Sequence, residues 1–191
     1  MKRTTLIALS TVFASVALAE ERPASPRGQS AAQVSGKWLD VDYGRPLLRG
    51  RADIFGAGAD YGKQVNAGAP VWRAGANQTT RLKTEMPIVV GGKKVAPGAY
   101  SVFVDLKAGA WTLILSTQPP AENYPPKDKT TIWGAYGYDP KFDVVRAPMT
   151  LGKSDVSVEQ LLIDFVDVTP KAAKLRISWG TVVALAPIQF D

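Results

Sequence analysis

The sequence contains no cysteine and no histidine. Without cysteine there is no disulfide framework, no thiolate metal site, no cysteine nucleophile and no cysteine-linked lipid anchor of the bacterial lipoprotein kind. Without histidine a Ser-His-Asp triad is impossible, and zinc, copper and general-base chemistry lose their commonest side chain. Basic blocks are missing too: the densest clusters, Lys93-Lys94 and Lys127-Asp128-Lys129, read as solvated turns. Nucleic-acid binding wants a basic stripe interleaved with aromatics, so no nucleic-acid partner is expected. No internal repeat is evident, and no stretch has the period of an amphipathic helix. Nothing in the chain calls for a cofactor.

What is present starts at the N-terminus. Lys2 and Arg3 precede an apolar run over residues 6–17, and Ala17-Leu18-Ala19 places small residues on either side of Leu18. This pattern predicts a Sec-type signal peptide over residues 1–19 and an exported protein, periplasmic or secreted. The run is short for a bilayer span and is interrupted by Ser10, Thr11 and Ser15, so no transmembrane segment is expected after cleavage. The formal charge of +6 falls to +4 when Lys2 and Arg3 leave with the signal. A chain of 191 residues, 46% hydrophobic, fits one soluble domain with a real core. Residues 20–32, polar and without period, read as a flexible lead-in, leaving 33–191 as the domain.

From Val34 the pattern is that of strands. Trp38, Asp40 and Asp42 alternate with Leu39, Val41 and Tyr43, the two-residue period of a sheet with unlike faces. Residues 44–70 form a long Gly-rich loop, with Leu47-Leu48 and Ile54-Phe55 as the side chains that would pin it to the body. Further strands are expected over 79–85, 99–106 and 111–117, with a hairpin turning at Gly91-Gly92. Residues 118–130 are a Pro-rich break. Beyond it "TIWGAYGYD", "DVVRAPMTL", "EQLLIDFVDV", "AKLRISWG" and "VVALAPIQF" read as strands, with 158–168, apolar on both faces, as a central one. About ten strands and 17 Gly with 14 Pro predict an all-β, two-sheet antiparallel sandwich of jelly-roll or immunoglobulin-like type.

Candidate chemistry is sparse. Read as a strand, 71–82 puts Trp72, Ala74 and Ala76 on one face and Arg73, Gly75, Asn77 and Arg81 on the other. Arg73 and Asn77 then offer a fork donor beside an amide, suited to a carboxylate, a phosphate or a sugar hydroxyl, or else they are a solvated face. Asp40 and Asp42 share a strand face, but no further ligands follow at calcium-loop spacing, and pairing with Arg45 or Arg51 is the simpler role. Tyr136 and Tyr138 in register would make a stacking platform or a half-buried rim. Asp143 and Arg146 make a structural pair.

The runs "DYGRP" (42–46), "GRADIFG" (50–56), "WRAGAN" (72–77), "GGKKVAPGAYSVF" (91–103) and "WGAYGYDPKFDVVR" (133–146) resemble the bacterial domain-of-unknown-function family twenty-nine-eleven. The resemblance covers the chain from about Val34 onward and implies a secreted or periplasmic, mostly β domain of unassigned activity. It groups Asp42, Tyr43, Arg45, Pro46, Arg51, Trp72, Arg73, Gly75 and Asn77 as motif positions. Two departures stand out. Asp60-Tyr61-Gly62 is separated from Trp72-Arg73 by "KQVNAGAPV", and Gly137 stands where an acidic residue is common in the family.

Three functional readings follow. In the first, Asp42, Arg45, Arg51, Trp72, Arg73, Asn77 and Tyr136 line a non-catalytic site for a small polar or anionic ligand or an envelope glycan. In the second, Asp42 is the base of a histidine-free hydrolase or lyase, which needs a second carboxylate facing it across a cleft. In the third, the arginines merely tie loops to carbonyls. Arginine heads opening onto a pocket separate the first reading from the third.

Overall fold

The computed structural model describes residues 24–190; the expected signal peptide and residues 20–23 lie outside them. The strands are β1 (Arg27–Val34), β2 (Lys37–Gly44), β3 (Thr80–Thr84), β4 (Ile88–Val90), β5 (Lys93–Val95), β6 (Gly98–Asp105), β7 (Thr112–Ser116), β8 (Asp143–Pro148), β9 (Thr150–Val166) and β10 (Ala172–Phe190). They make a β-sandwich of two open antiparallel sheets, ordered β1-β2-β3-β6-β7-β8 and β5-β4-β10-β9. The larger sheet is a meander that lends the β4–β5 hairpin to the smaller one. It is therefore more sequential than the Greek-key order of immunoglobulin domains or jelly rolls.

The alternation read in β2 holds. Leu39, Val41 and Tyr43 are buried between the sheets while Trp38, Asp40 and Asp42 face outward. Each large apolar side chain sealed this way contributes about 1.5–3 kcal/mol. β6 is different, because Tyr100, Ser101, Val102, Phe103 and Val104 are all buried. Val102 and Val104 face the main core, and Phe103 faces a second, smaller cluster with Ile114, Val71, Ile132 and Ala135. The chain after β7 supplies that cover by folding back over the outer face, with Tyr138 edge-on to Phe103 at 5.2 Å between centroids.

Three expectations are corrected. Residues 27–34 are not a flexible lead-in but strand β1, in register with β2 from Arg27↔Gly44 to Val34↔Lys37. The stretch 131–138 is not a strand: it makes isolated bridges, Pro120↔Ile132 and Trp133↔Tyr136, and turns at Gly134 and Gly137. β9 is an edge strand, not a central one. Its edge is partly occupied: residues 46–48 run along it through the Leu47↔Gln160 bridge and the bonds Leu48 N–H to Glu159 O and Leu161 N–H to Pro46 O. That contact covers an edge that would otherwise invite pairing with another chain.

The long loop after β2 closes one end of the sandwich. Leu48, Ile54 and Phe55 are buried, as expected of its pins. Phe55 lies edge-on to Trp72, Trp111 and Trp179 at centroid distances of 5.6, 4.7 and 6.0 Å. Trp111 donates its indole N–H to the Tyr61 hydroxyl at 2.8 Å. The short helix α1 (Lys63–Asn66) then leads the chain toward Trp72.

Candidate functional site

Residues 71–82 are not one strand. Trp72 makes a two-bond bridge with Val104 of β6, its N–H donating to the Val104 carbonyl at 2.9 Å and its carbonyl accepting from the Val104 N–H at 2.8 Å. The chain leaves the ladder at Arg73 and rejoins it at Thr80, opposite Val102. Ala74 (φ 47°) and Asn77 (φ 62°) take left-handed conformations within the excursion. A non-glycine residue held there costs on the order of 1–2 kcal/mol, so the surroundings must impose the shape. They do: Thr80 Oγ1 donates to the Ala74 carbonyl at 2.9 Å, and Gly44 lies so close that any Cβ on it would overlap the Ala76 carbonyl. The small residues beside Trp72 are what let the turn fold back onto β2.

This excursion seats Arg73. The side chain is buried, 8% exposed, yet makes one hydrogen bond, from Nη1 to the Asn77 carbonyl at 3.0 Å. Its guanidinium carbon lies 4.8 Å from the centre of the Tyr136 ring, a cation–π contact. On another side is Gly134, where an added Cβ would come within 2.5 Å of Nη1. The backbone there is fixed by Thr79 Oγ1, which donates to the Ile132 and Gly134 carbonyls at 3.0 Å each. The Tyr136 hydroxyl donates to the Ala67 carbonyl at 3.1 Å and so links this wall to the end loop. Among the described residues no carboxylate pairs with Arg73, and its Nε and Nη2 have no partner.

Arg73 opens on a cavity of about 220 Å³. Trp72, Trp179 and Ile54 give it apolar walls, and Arg51, Gln64 and Asn77 bring polar groups. Arg51 is tied to the loop it belongs to, donating from Nε to the Leu48 carbonyl at 2.8 Å and from Nη2 to the Leu47 carbonyl at 2.7 Å. Its Nη1 is unpartnered among the described residues. Trp72 is 1% exposed, and its indole N–H has no hydrogen-bond partner among them either. No Asp or Glu lines the cavity.

The sequence candidates therefore divide. Arg51, Trp72, Arg73 and Asn77 meet at the cavity, with Tyr136 behind Arg73. Arg45 does not join them: its Nε donates to the Leu161 carbonyl at 3.2 Å and its stem packs on Gly28. Asp42 is on the outer face of β2, paired with Arg27 of β1 rather than with Arg45 or Arg51. Tyr136 and Tyr138 form no platform, since one packs on Arg73 and the other on Phe103. Sequence reading missed Trp179, Gln64 and the Gly134 backbone. Trp179 belongs to β10, more than a hundred residues away, and nothing local marks it; Gly134, beside Trp133 and two residues before Tyr136, carried a signal of close approach.

A second polar cluster lies at β8. Tyr138 donates its hydroxyl to Asp143 Oδ2 at 2.6 Å, and Arg146 donates from Nη1 to both Tyr138 and Asp143 at 3.0 Å and from Nη2 to Asp105 at 2.9 Å. Partial burial first, and then the adjacent Asp143 carboxylate, push the Tyr138 phenol well above its ordinary pKa. The expected Asp143–Arg146 pair is thus part of a four-residue network.

No helix of the described residues is long and apolar enough to cross a membrane. No curated protein and no solved structure matches the chain. The family described as a protein of unknown function, DUF2911, matches residues 25–188, and the chain belongs to that family.

Proposed function

We propose that this protein is an exported cell-envelope protein whose sandwich is a non-catalytic binding domain, with the cavity beneath Arg73 as its site for a small anion. One observation carries the binding reading: a buried guanidinium, with most of its donors unused and no carboxylate beside it, opens on a cavity. A buried cation is ordinarily paired, because its desolvation is otherwise uncompensated by several kcal/mol. The tyrosine face offsets part of that cost, and a bound anion would supply the rest. Arg45 and Arg51 by themselves fit a loop-tying role, as both bond main-chain carbonyls. Arg73 sets the site apart from that role. The hydrolase reading loses its base, since Asp42 faces away from the cavity and the cavity has no acid of its own.

Export is supported by the charged, apolar and small-residue order of residues 1–19, and cell fractionation tests it: the chain recovered in the cytoplasm at full length would remove it. Binding is tested by thermal melting with acetate, hexanoate, inorganic phosphate and sulfate. At least one of these anions should raise the melting temperature of the natural protein and leave a folded Arg73→Ala protein unmoved. Equal shifts in both proteins would take the site away from Arg73.

A further inference from the structure

The cavity also says what kind of anion it holds. We infer that its ligand is a small organic monocarboxylate with an apolar body, its carboxylate on Arg73 and the Trp72 indole N–H, its body against Trp179 and Ile54. This rests on the binding reading above and narrows it.

Three features lead there. The first is which donors remain. Arg73 spends Nη1 on the Asn77 carbonyl, which leaves Nε and Nη2 without partners among the described residues. Those two N–H groups lie parallel along one edge of the guanidinium plane, the fork that takes both oxygens of a carboxylate. The Trp72 N–H can only donate, so with Arg73 it asks for an acceptor. A buried tryptophan usually finds a partner for its N–H. Trp111 and Trp179 both do so here, bonding the Tyr61 hydroxyl and the Glu159 carbonyl. The Trp72 nitrogen has none, and it is not among the fully buried unpartnered atoms of the described residues, so it is still reached from the cavity side.

The second feature is the remaining lining. Apart from Arg51, Gln64 and Asn77, the walls are aromatic, aliphatic or small. Inorganic phosphate or sulfate wants donors all round, and a wall of Trp179 and Ile54 gives none. A fully hydroxylated sugar meets the same difficulty, because the side-chain donors lie on the Arg73 and Arg51 side while Trp179, Ile54 and Val65 offer its hydroxyls nothing. An ammonium-bearing ligand such as an amino acid would need an acceptor, and no carboxylate lines the cavity. The third feature is size. The cavity of about 220 Å³ is of small-molecule size, on the order of a six-carbon acid and well short of a glycan chain.

The test uses three probes of matched or contrasting chemistry: hexanoate, 1-hexanol and inorganic phosphate. Trp72 and Trp179 line the site, so tryptophan fluorescence titration reports occupancy directly, with thermal melting as the independent readout. Hexanoate should bind at least ten times more tightly than either of the others. Arg73→Gln should lower hexanoate affinity at least tenfold. Trp72→Phe, which keeps the ring and removes the N–H, should lower it about fivefold and leave the far-ultraviolet spectrum unchanged. Phosphate binding as tightly as hexanoate, in an Arg73-dependent way, overturns the monocarboxylate but leaves a small-anion site standing. Hexanol matching hexanoate overturns both, because charge then plays no part. If Arg73→Gln fails to fold, the Trp72→Phe titration decides: unchanged affinity for hexanoate overturns the inference.

Discussion

Around Arg146 the polar groups largely close on one another, with Asp143 Oδ1 alone buried and without a partner in this cluster. It donates to a tyrosine hydroxyl and to two carboxylates, and Asp143 receives the tyrosine proton as well. Around Arg73, at the end of the sandwich, a tyrosine from the same stretch of chain offers its ring face instead of its oxygen, and no carboxylate follows. Arg146 is the more exposed of the two. The more buried cation is therefore the one with less protein around it to answer its charge, the reverse of what stability alone would arrange. What the contrast teaches is that an arginine beside a tyrosine is not one motif. Tyr138 and Arg146 finish each other's hydrogen bonding, whereas Tyr136 holds the Arg73 plane and leaves its edge open.

The largest expected effect breaks the open side of this contrast. In Gly134→Ala the new methyl would come within 2.5 Å of Arg73 Nη1, on a backbone at φ 63° that alanine adopts poorly. The strained backbone alone costs about 1–2 kcal/mol. With displacement of Arg73 the loss of stability should reach about 2–4 kcal/mol in urea unfolding. Hexanoate binding, measured where circular dichroism shows the variant folded, should be lost. A variant that keeps both stability and binding would show that the guanidinium has room to move and is not held in place for a ligand.

Asp143→Ala, the next in size, attacks the closed side. It removes the acceptor shared by Tyr138 and Arg146, and a lost charge-assisted partner at a mostly buried position costs about 1–2 kcal/mol. Hexanoate affinity should stay within twofold of the natural protein. A large loss of affinity would mean the two arginines are coupled through residues 136–143, and the contrast between them would then describe one site rather than two.

How much of this the sequence could show depends on the range of the interactions involved. Period-two alternation made β2 legible, and paired glycines made the β4–β5 hairpin legible, because both are local signals. β1 was not legible: Gln29, Ala31 and Gln33 alternate with equally small or polar neighbours, and their strand exists through pairing with β2. The edge position of β9 was hidden for a related reason, since the chain that runs along that edge, residues 46–48, lies more than a hundred positions earlier. At the cavity, Arg73, Asn77 and Arg51 were recognisable from their chemistry. The turn that brings the Asn77 carbonyl, rather than its amide, to Arg73 was not, because reading 71–82 as a strand put both side chains on one face. Asp42 and Arg45 lie in the run next to that of Arg51 and yet point elsewhere. Proximity in sequence fixes a strand face, and the partner that side chain meets there is set by chain from elsewhere.

The smallest effect sharpens the closed side through pH. The Tyr138 phenol is held neutral in the folded protein to a pH well above the ordinary tyrosine range, by partial burial and then by Asp143. In the unfolded chain it ionises near pH 10. Above that value the folded state keeps a proton that the unfolded state gives up, so unfolding is favoured increasingly as pH rises. The contribution is whole below about pH 10 and is lost as pH climbs toward the folded-state value. Tyr138→Phe removes both the hydrogen bonds and this proton. At pH 7 it should cost about 0.5–1 kcal/mol for the lost bonds. Between pH 9.5 and 11 its stability should fall less steeply than that of the natural protein, so that the two urea midpoints converge. Parallel curves for Tyr138→Phe and the natural protein would mean that Asp143 and Tyr138 are not coupled in solution, and that the network around Arg146 is as open as the site around Arg73.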